Sequence, residues 1–182
     1  MPVKITYFVH GTTTDNETDL ATGWNPGELT KRGVEQSKEL WKMVWGRPFE
    51  AVFCSDLKRA SESAESTFGG KFPIIPDKRL REVNYGDFTG TKFSGFRDSL
   101  KDFIDMPFPN GESYRDVEKR VSEFLEFLRE NYSGKHIAVV AHQGPQLALE
   151  VLLNNKTWAQ AIDEDWRRKN EWKPGWEYIL GD

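Results

Sequence analysis

The chain has 182 residues, 37% hydrophobic and 13% aromatic, a content that suits one packed domain over residues 1–182 and argues against a disordered or fibrous chain. Its formal charge of −4 gives no general pull toward nucleic acid or an acidic membrane, so an anionic ligand has to be held by a local group of cations. The lone cysteine, Cys54, excludes an intrachain disulfide framework, and with no signal-peptide pattern or long uncharged apolar span the expectation is a cytoplasmic protein without a membrane partner.

In chain order, the apolar run Ile5 to Val9 feeds directly into His10, Gly11 and the polar residues Thr12, Thr13 and Thr14, and reads as a strand that ends in a site. Thr30 is placed as the N-cap of a helix reaching about Met43, with Leu29 stapling onto Val34. Ala51 to Ser55 is a second strand, after which Asp56 is expected to cap a helix from Leu57 to about Phe68. Pro73 to Pro76 is an edge strand at most, because proline cannot donate to a ladder. The segment Lys78 to Gly111 has no clean period, and a helix is expected only around Ser94 to Ile104. Ser113 and Asp116 form a near capping box for a helix to about Asn131, with Val117, Val121, Phe124, Leu125 and Leu128 as its apolar stripe. His136 to Ala141 lacks alternation, as expected of a central parallel strand buried on both faces. Gly144-Pro145 then opens a helix to about Leu153, with proline at the first helical position. The mixed-charge tail Asp163 to Lys173 is expected to form a helical cap with Trp166 and Trp172 packed inward, followed by an edge strand from Trp176 to Leu180.

Strands alternating with helices predict an α/β fold around a mostly parallel sheet. In such a sheet the ends at His10-Gly11, at Ser55-Asp56 with Arg59 on the next turn, and at His142-Gln143-Gly144 meet on one edge. Two histidines and an arginine near helix N-termini make an anion site with a nucleophile in it, and phosphate is the obvious anion. His136 has no such context and is expected to be structural; Cys54 sits inside an apolar run and is expected in the core. The histidines and the cysteine show no metal-ligand spacing, and no phosphate-binding glycine loop with lysine is present, so neither a metal nor another cofactor is expected.

The ordered set His10-Gly11 with Thr13 and Asn16, Leu29-Thr30 with Gly33 and Gln36, Ser55 with Leu57, Arg59-Ala60 and Ala64, Leu80 with Glu82, Tyr85-Gly86 and Gly90, Gly111-Glu112-Ser113, and His142 with Gly144 resembles the histidine phosphatase superfamily. The resemblance implies the three-layer α/β/α fold of phosphoglycerate mutase-like proteins. It implies that His10 attacks phosphorus through a neutral ring nitrogen, that Glu82 protonates the leaving group, and that Arg59 and a protonated His142 stabilise the passing phosphoryl group. Gly11, Thr13, Asn16, Gln143 and Tyr85 are the candidate phosphate or substrate contacts. The implied partner is a small phosphorylated metabolite. A phosphomonoesterase is favoured over a mutase by the chain's compactness, and the residues leave the oligomeric state open, a dimer included.

The chain departs from the family at Val9, where the family has an arginine before its nucleophile, and at Thr12, where many members have glutamate. One missing charge donor typically costs ~3–4 kcal/mol of transition-state stabilisation. Either another cation supplies it, with Arg32, Arg79, Arg81, Lys92 and Arg115 as the candidates, or the protein binds a phosphorylated partner without turning it over.

Overall fold

The computed structural model describes residues 1–169 and 175–181. Five strands, β1 (Val3–Val9), β2 (Ala51–Cys54), β3 (Ile74–Pro76), β4 (His136–Ala141) and β5 (Trp176–Leu180), form one sheet in the order β3-β2-β4-β1-β5. β4, buried from Ile137 to Ala141, takes the centre, with β1 and β2 parallel on either side. β3 adds a parallel edge and β5 an antiparallel one, as their short or alternating patterns suggested.

The α-helices are α1 (Thr14–Glu17), α2 (Lys31–Val44), α3 (Lys58–Phe68), α4 (Tyr114–Asn131), α5 (Gln143–Asn154) and α6 (Trp158–Asp163). The period-2 alternation of strand side chains sorts them into two layers. Ile5, Tyr7, Phe53, Ile137 and Val139 pack with Val121, Phe124, Leu125 and Leu128 of α4 and Leu147 of α5. Phe8, Val52, Ala138 and Val140 pack on the opposite face with Leu40 and Val44 of α2 and Ala64 and Phe68 of α3. The fold is therefore three-layered, helices on both faces of a mostly parallel sheet.

Register fixes the site. Val9 pairs with Ala141, the His10 N–H donates to the Ala141 carbonyl at 3.1 Å, and the Ser55 N–H donates to the Val140 carbonyl at 3.0 Å. The ends of β1, β2 and β4 thus stand level, with His10 and His142 side by side.

Thr30 caps α2 through Gly33 N–H, and Ser113 and Asp116 cap α4 reciprocally, as their spacing predicts. Asp56 does not cap α3: the N-cap is Leu57 without a side-chain bond, and the Asp56 carboxylate is drawn instead into a bidentate pair with Arg81 at 2.7 and 2.6 Å. Helix α5 starts at Gln143, so Pro145 is its third residue, still inside the first turn where an N–H has no intrahelical partner. The segment expected as a helix over Ser94 to Ile104 is two 3-10 turns, Phe93–Gly95 and Arg97–Phe103. Phe96 breaks between them at φ −132° and ψ 3°, which seats its ring among Tyr85, Phe88 and Phe108.

In the C-terminal region the helix lies earlier than expected. Thr157 and Gln160 form a capping box that starts α6, and a 3-10 turn, Trp166–Lys169, follows it. Trp166 packs on Trp176 with ring centroids 6.1 Å apart, while Trp172 lies outside the described residues.

Candidate active site

His10 leaves the end of β1 half-buried, and its ring is held at both nitrogens. Nδ1 lies 2.7 Å from the Gly11 carbonyl oxygen, which only accepts, so Nδ1 carries the proton and Nε2 the lone pair. That lone pair accepts from the Nε–H of Arg59 at 3.2 Å. Burial, reinforced by the Arg59 charge, pushes the imidazole down to about 3. At neutral pH the ring is uncharged and its Nε2 is nucleophilic.

An unfolded chain protonates this histidine near 6.5, whereas the folded one resists protonation down to about 3. The unfolded state therefore binds more protons in that window, and unfolding free energy is expected to fall as the pH drops through it. Denaturant titrations at stepped pH, comparing wild type with His10→Gln, check this. The variant should lose stability less steeply below about pH 6.5, and identical slopes would remove His10 from the acid response.

The loop after His10 is set by close backbone contact. A Cβ at Gly11 would lie 2.2 Å from the Gly33 carbonyl oxygen, and one at Gly33 would lie 2.1 Å from the Thr12 carbonyl oxygen. The first turn of α2 is thus pressed directly on the residues that follow His10. Gly33→Ala is expected to destabilise the fold by ~1–3 kcal/mol, measured by denaturant unfolding, and to lower activity through His10.

Arg59 is almost wholly buried, at 1% exposure. Its place on the first turn of α3 aims it across the cavity instead of toward Asp56 or Glu62. Nη1 donates to the Asn25 carbonyl at 2.8 Å, and Nη2 to the Gly23 carbonyl at 2.8 Å. Ser63, one turn later on α3, donates to the Arg59 carbonyl at 2.8 Å and accepts from Gly11 N–H at 3.0 Å, tying the arginine helix to the histidine loop. That bond also commits the Gly11 N–H to protein.

Glu82 sits on the N-terminus of α5. Oε1 accepts from Val83 N–H at 2.9 Å and Gly144 N–H at 2.8 Å, and Oε2 accepts from Gln143 N–H at 3.2 Å. A Cβ at Gly144 would meet Oε1 at 2.7 Å, so glycine there is what lets the carboxylate approach. The Gln143 and Gly144 N–H groups, in the first turn of α5, have no intrahelical partner, and the Glu82 carboxyl group satisfies both.

His142 is fully buried, its ring centroid 5.1 Å from that of His10, and it does not line the cavity wall. Tyr7 fixes its backbone, donating to the His142 carbonyl at 2.6 Å and accepting from its N–H at 3.0 Å. Burial, then the charge of Arg59, pushes its imidazole well below the usual histidine range. These effects favour the neutral ring, whereas the resemblance implies a protonated His142 beside a passing phosphoryl group. Among the described residues, neither of its nitrogens has a hydrogen-bond partner.

A cavity of about 340 Å³ opens over this floor, a size suited to a small ligand. His10, Gly11, Asn16, Arg59, Glu82, Tyr85 and Gln143, all candidates from the sequence, line it. Thr13 does not: its side chain is buried, accepting from Asn16 N–H at 3.1 Å while Asn16 Oδ1 accepts from Thr13 N–H, so the pair caps α1. None of Arg32, Arg79, Arg81, Lys92 and Arg115 lines the cavity. Arg79 pairs with Asp77, Arg81 with Asp56, and Arg115 with Asp105 and Glu118, while Lys92 Nζ donates to the Thr18 carbonyl. Among the described residues, the cations that line it besides Arg59 are Arg97, Arg167 and Arg168. His136 is structural as expected, bonded to Thr6 and packed on Phe49. Cys54 is buried in the core. Among the described residues no group of three or more His, Cys, Asp or Glu is placed to hold a metal, and no helix is long and apolar enough to cross a membrane.

Known proteins are similar to this chain in sequence and in fold. A 2,3-bisphosphoglycerate-dependent phosphoglycerate mutase of Methylorubrum extorquens is 30% identical over 164 residues, 81% of this chain and 77% of that one. The adenosylcobalamin/α-ribazole phosphatase of Escherichia coli is 31% identical over 150 residues, 74% of this chain and 71% of its own. In fold, the chain is similar to a mycobacterial glucosyl-3-phosphoglycerate phosphatase solved with VO3, with a TM-score of 0.80 at 23% identity, covering 88% of this chain and 86% of that one. The sequence profile of the histidine phosphatase superfamily, branch 1, matches residues 7–170. With that match across the segments that carry His10, Arg59 and His142, the chain belongs to the histidine phosphatase superfamily.

Proposed function

We propose that this protein is a phosphomonoesterase that hydrolyses a small phosphorylated metabolite through a phosphohistidine on His10. The observation that supports this best is the neutral His10 ring, its Nδ1–H fixed on Gly11 and its Nε2 lone pair facing a cavity beside Arg59. When a phosphate monoester enters, the Arg59 N–H turns to a non-bridging oxygen and frees Nε2 for in-line attack. The Nε2–P bond forms as the ester P–O bond breaks, and the Glu82 carboxyl delivers a proton to the leaving oxygen. Glu82 then takes a proton from the water that attacks phosphorus, breaking the N–P bond and releasing phosphate.

Rapid quenching with sugar, glycerate and aryl phosphates tests this reading. The expected result is acid-labile phosphate trapped on the wild-type protein and none on His10→Ala. Absence of trapped phosphate together with equal hydrolysis by both proteins would overturn it. The mutase reading draws on the name of the Methylorubrum extorquens relative. It predicts 2-phosphoglycerate from 3-phosphoglycerate when the bisphosphate is supplied. A phosphate-binding protein without turnover, the reading raised by Val9, predicts phosphate binding with no phosphoenzyme.

A further inference from the structure

We propose that Arg167, from the 3-10 turn after α6, supplies the phosphate-binding guanidinium that the residue before His10 does not. Val9 lines the cavity as a short apolar side chain, and Arg167 lines the same cavity from another element. It stands close enough for its charge to bear on the His10 imidazole.

The way Arg167 is held points to a ligand. Its backbone N–H and its Nη1 both donate to Asp165 Oδ1, at 3.2 and 2.8 Å, and its guanidinium lies over the Trp166 ring at 4.6 Å. Asp165 is itself buried and receives a hydrogen bond from the Gln143 side chain at the start of α5. The fork is thus anchored through Asp165 to the helix that follows His142. Its remaining arm, Nη2, is buried with no hydrogen-bond partner among the described residues. Trp166 Nε1, on the neighbouring cavity-lining residue, is likewise buried without one. Both groups only donate, and buried donors require an acceptor. An anion with several acceptor oxygens meets both needs, and a planar arginine fork is suited to a phosphoryl group.

Arg168 is less suited, because its guanidinium is used on the Arg97 carbonyl at 2.7 Å and on Asp98 at 3.3 Å. Arg59 supplies the guanidinium that bonds His10 directly. On this inference the second phosphate arginine stands at position 167, and Val9 stands before His10.

This inference rests on the phosphatase reading for its role in catalysis but not for phosphate binding, and the two are tested separately. Wild type, Arg167→Gln, Val9→Arg and the double variant are assayed with p-nitrophenyl phosphate, and their binding of inorganic phosphate is measured by calorimetry. Arg167→Gln is expected to weaken phosphate binding at least about tenfold and to lower kcat/KM about a hundredfold. In that background Val9→Arg should restore most of both losses. An Arg167→Gln protein that folds and stays within about threefold of wild type in both measurements overturns the inference. If Arg167→Gln does not fold, Arg167→Lys, which keeps the charge but not the fork, is judged by the same limits. If wild type turns over no ester, the phosphatase reading fails and the calorimetry alone decides for Arg167. Absence of phosphate binding by wild type overturns both.

Discussion

Replacing His10 with alanine is expected to lower kcat for phosphate ester hydrolysis by at least about 10⁴-fold, because it removes the covalent route itself. The cavity loses only a half-buried ring, and Arg59 keeps its bonds to the Gly23 and Asn25 carbonyls. Inorganic phosphate should therefore still bind within about tenfold of wild type, since uniform binding and chemistry separate in such a variant. Steady-state hydrolysis of p-nitrophenyl phosphate, paired with phosphate calorimetry, gives both quantities. A His10→Ala protein with more than about a tenth of the wild-type rate would exclude the histidine as nucleophile.

The second large effect is expected at Glu82, and its size should depend on the substrate. A general acid contributes about 10²–10⁴-fold when the leaving oxygen needs a proton. Glu82→Gln should lose about that factor on alkyl phosphates such as glycerol or sugar phosphates, and far less on p-nitrophenyl phosphate, whose leaving group departs as a stable anion. The glutamine oxygen can still accept from Val83 and Gly144, so the start of α5 remains held on one side. Equal losses on alkyl and aryl esters would instead assign Glu82 to seating the helix. Unfolding midpoints of the two proteins separate a folding defect from this effect.

The parts of this site carried by strand ends were legible in the chain, and the parts carried by side-chain competition were not. An apolar run followed by His10, and another followed by His142, leaves few topologies, because parallel strands bring their carboxyl ends to one edge. Arg59 was legible for the same reason, being on the first turn after β2. Local spacing predicts Asp56 as a helix cap, but Arg81, 25 residues away, takes its carboxylate, and local spacing carries no trace of such a partner. Thr13 and Asn16 were placed at the phosphate by motif, but a three-residue spacing of this kind also makes a reciprocal cap, which is what Thr13 does. The helix expected at Ser94 to Ile104 failed on aromatics: Phe96 and Phe103 follow the ring cluster under Tyr85 and not the helical period.

Arg167 was hidden more deeply. In the sequence it is one cation in a tail of mixed charge, and nothing local separates it from a solvated surface. Its meaning comes from Asp165 and Gln143, whose contact depends on the turn after α6 folding back toward the start of α5.

The bond from Arg59 to His10 has a consequence for the protein at rest. With its Nε2 lone pair held by a guanidinium and its Nδ1–H held by Gly11, the imidazole has no free nitrogen to offer an uncharged electrophile. Only a ligand whose own oxygens attract Arg59 more strongly than a neutral ring does can unmask it. On the phosphatase reading, arrival of the anion and arming of His10 are a single event, and the idle protein is chemically quiet.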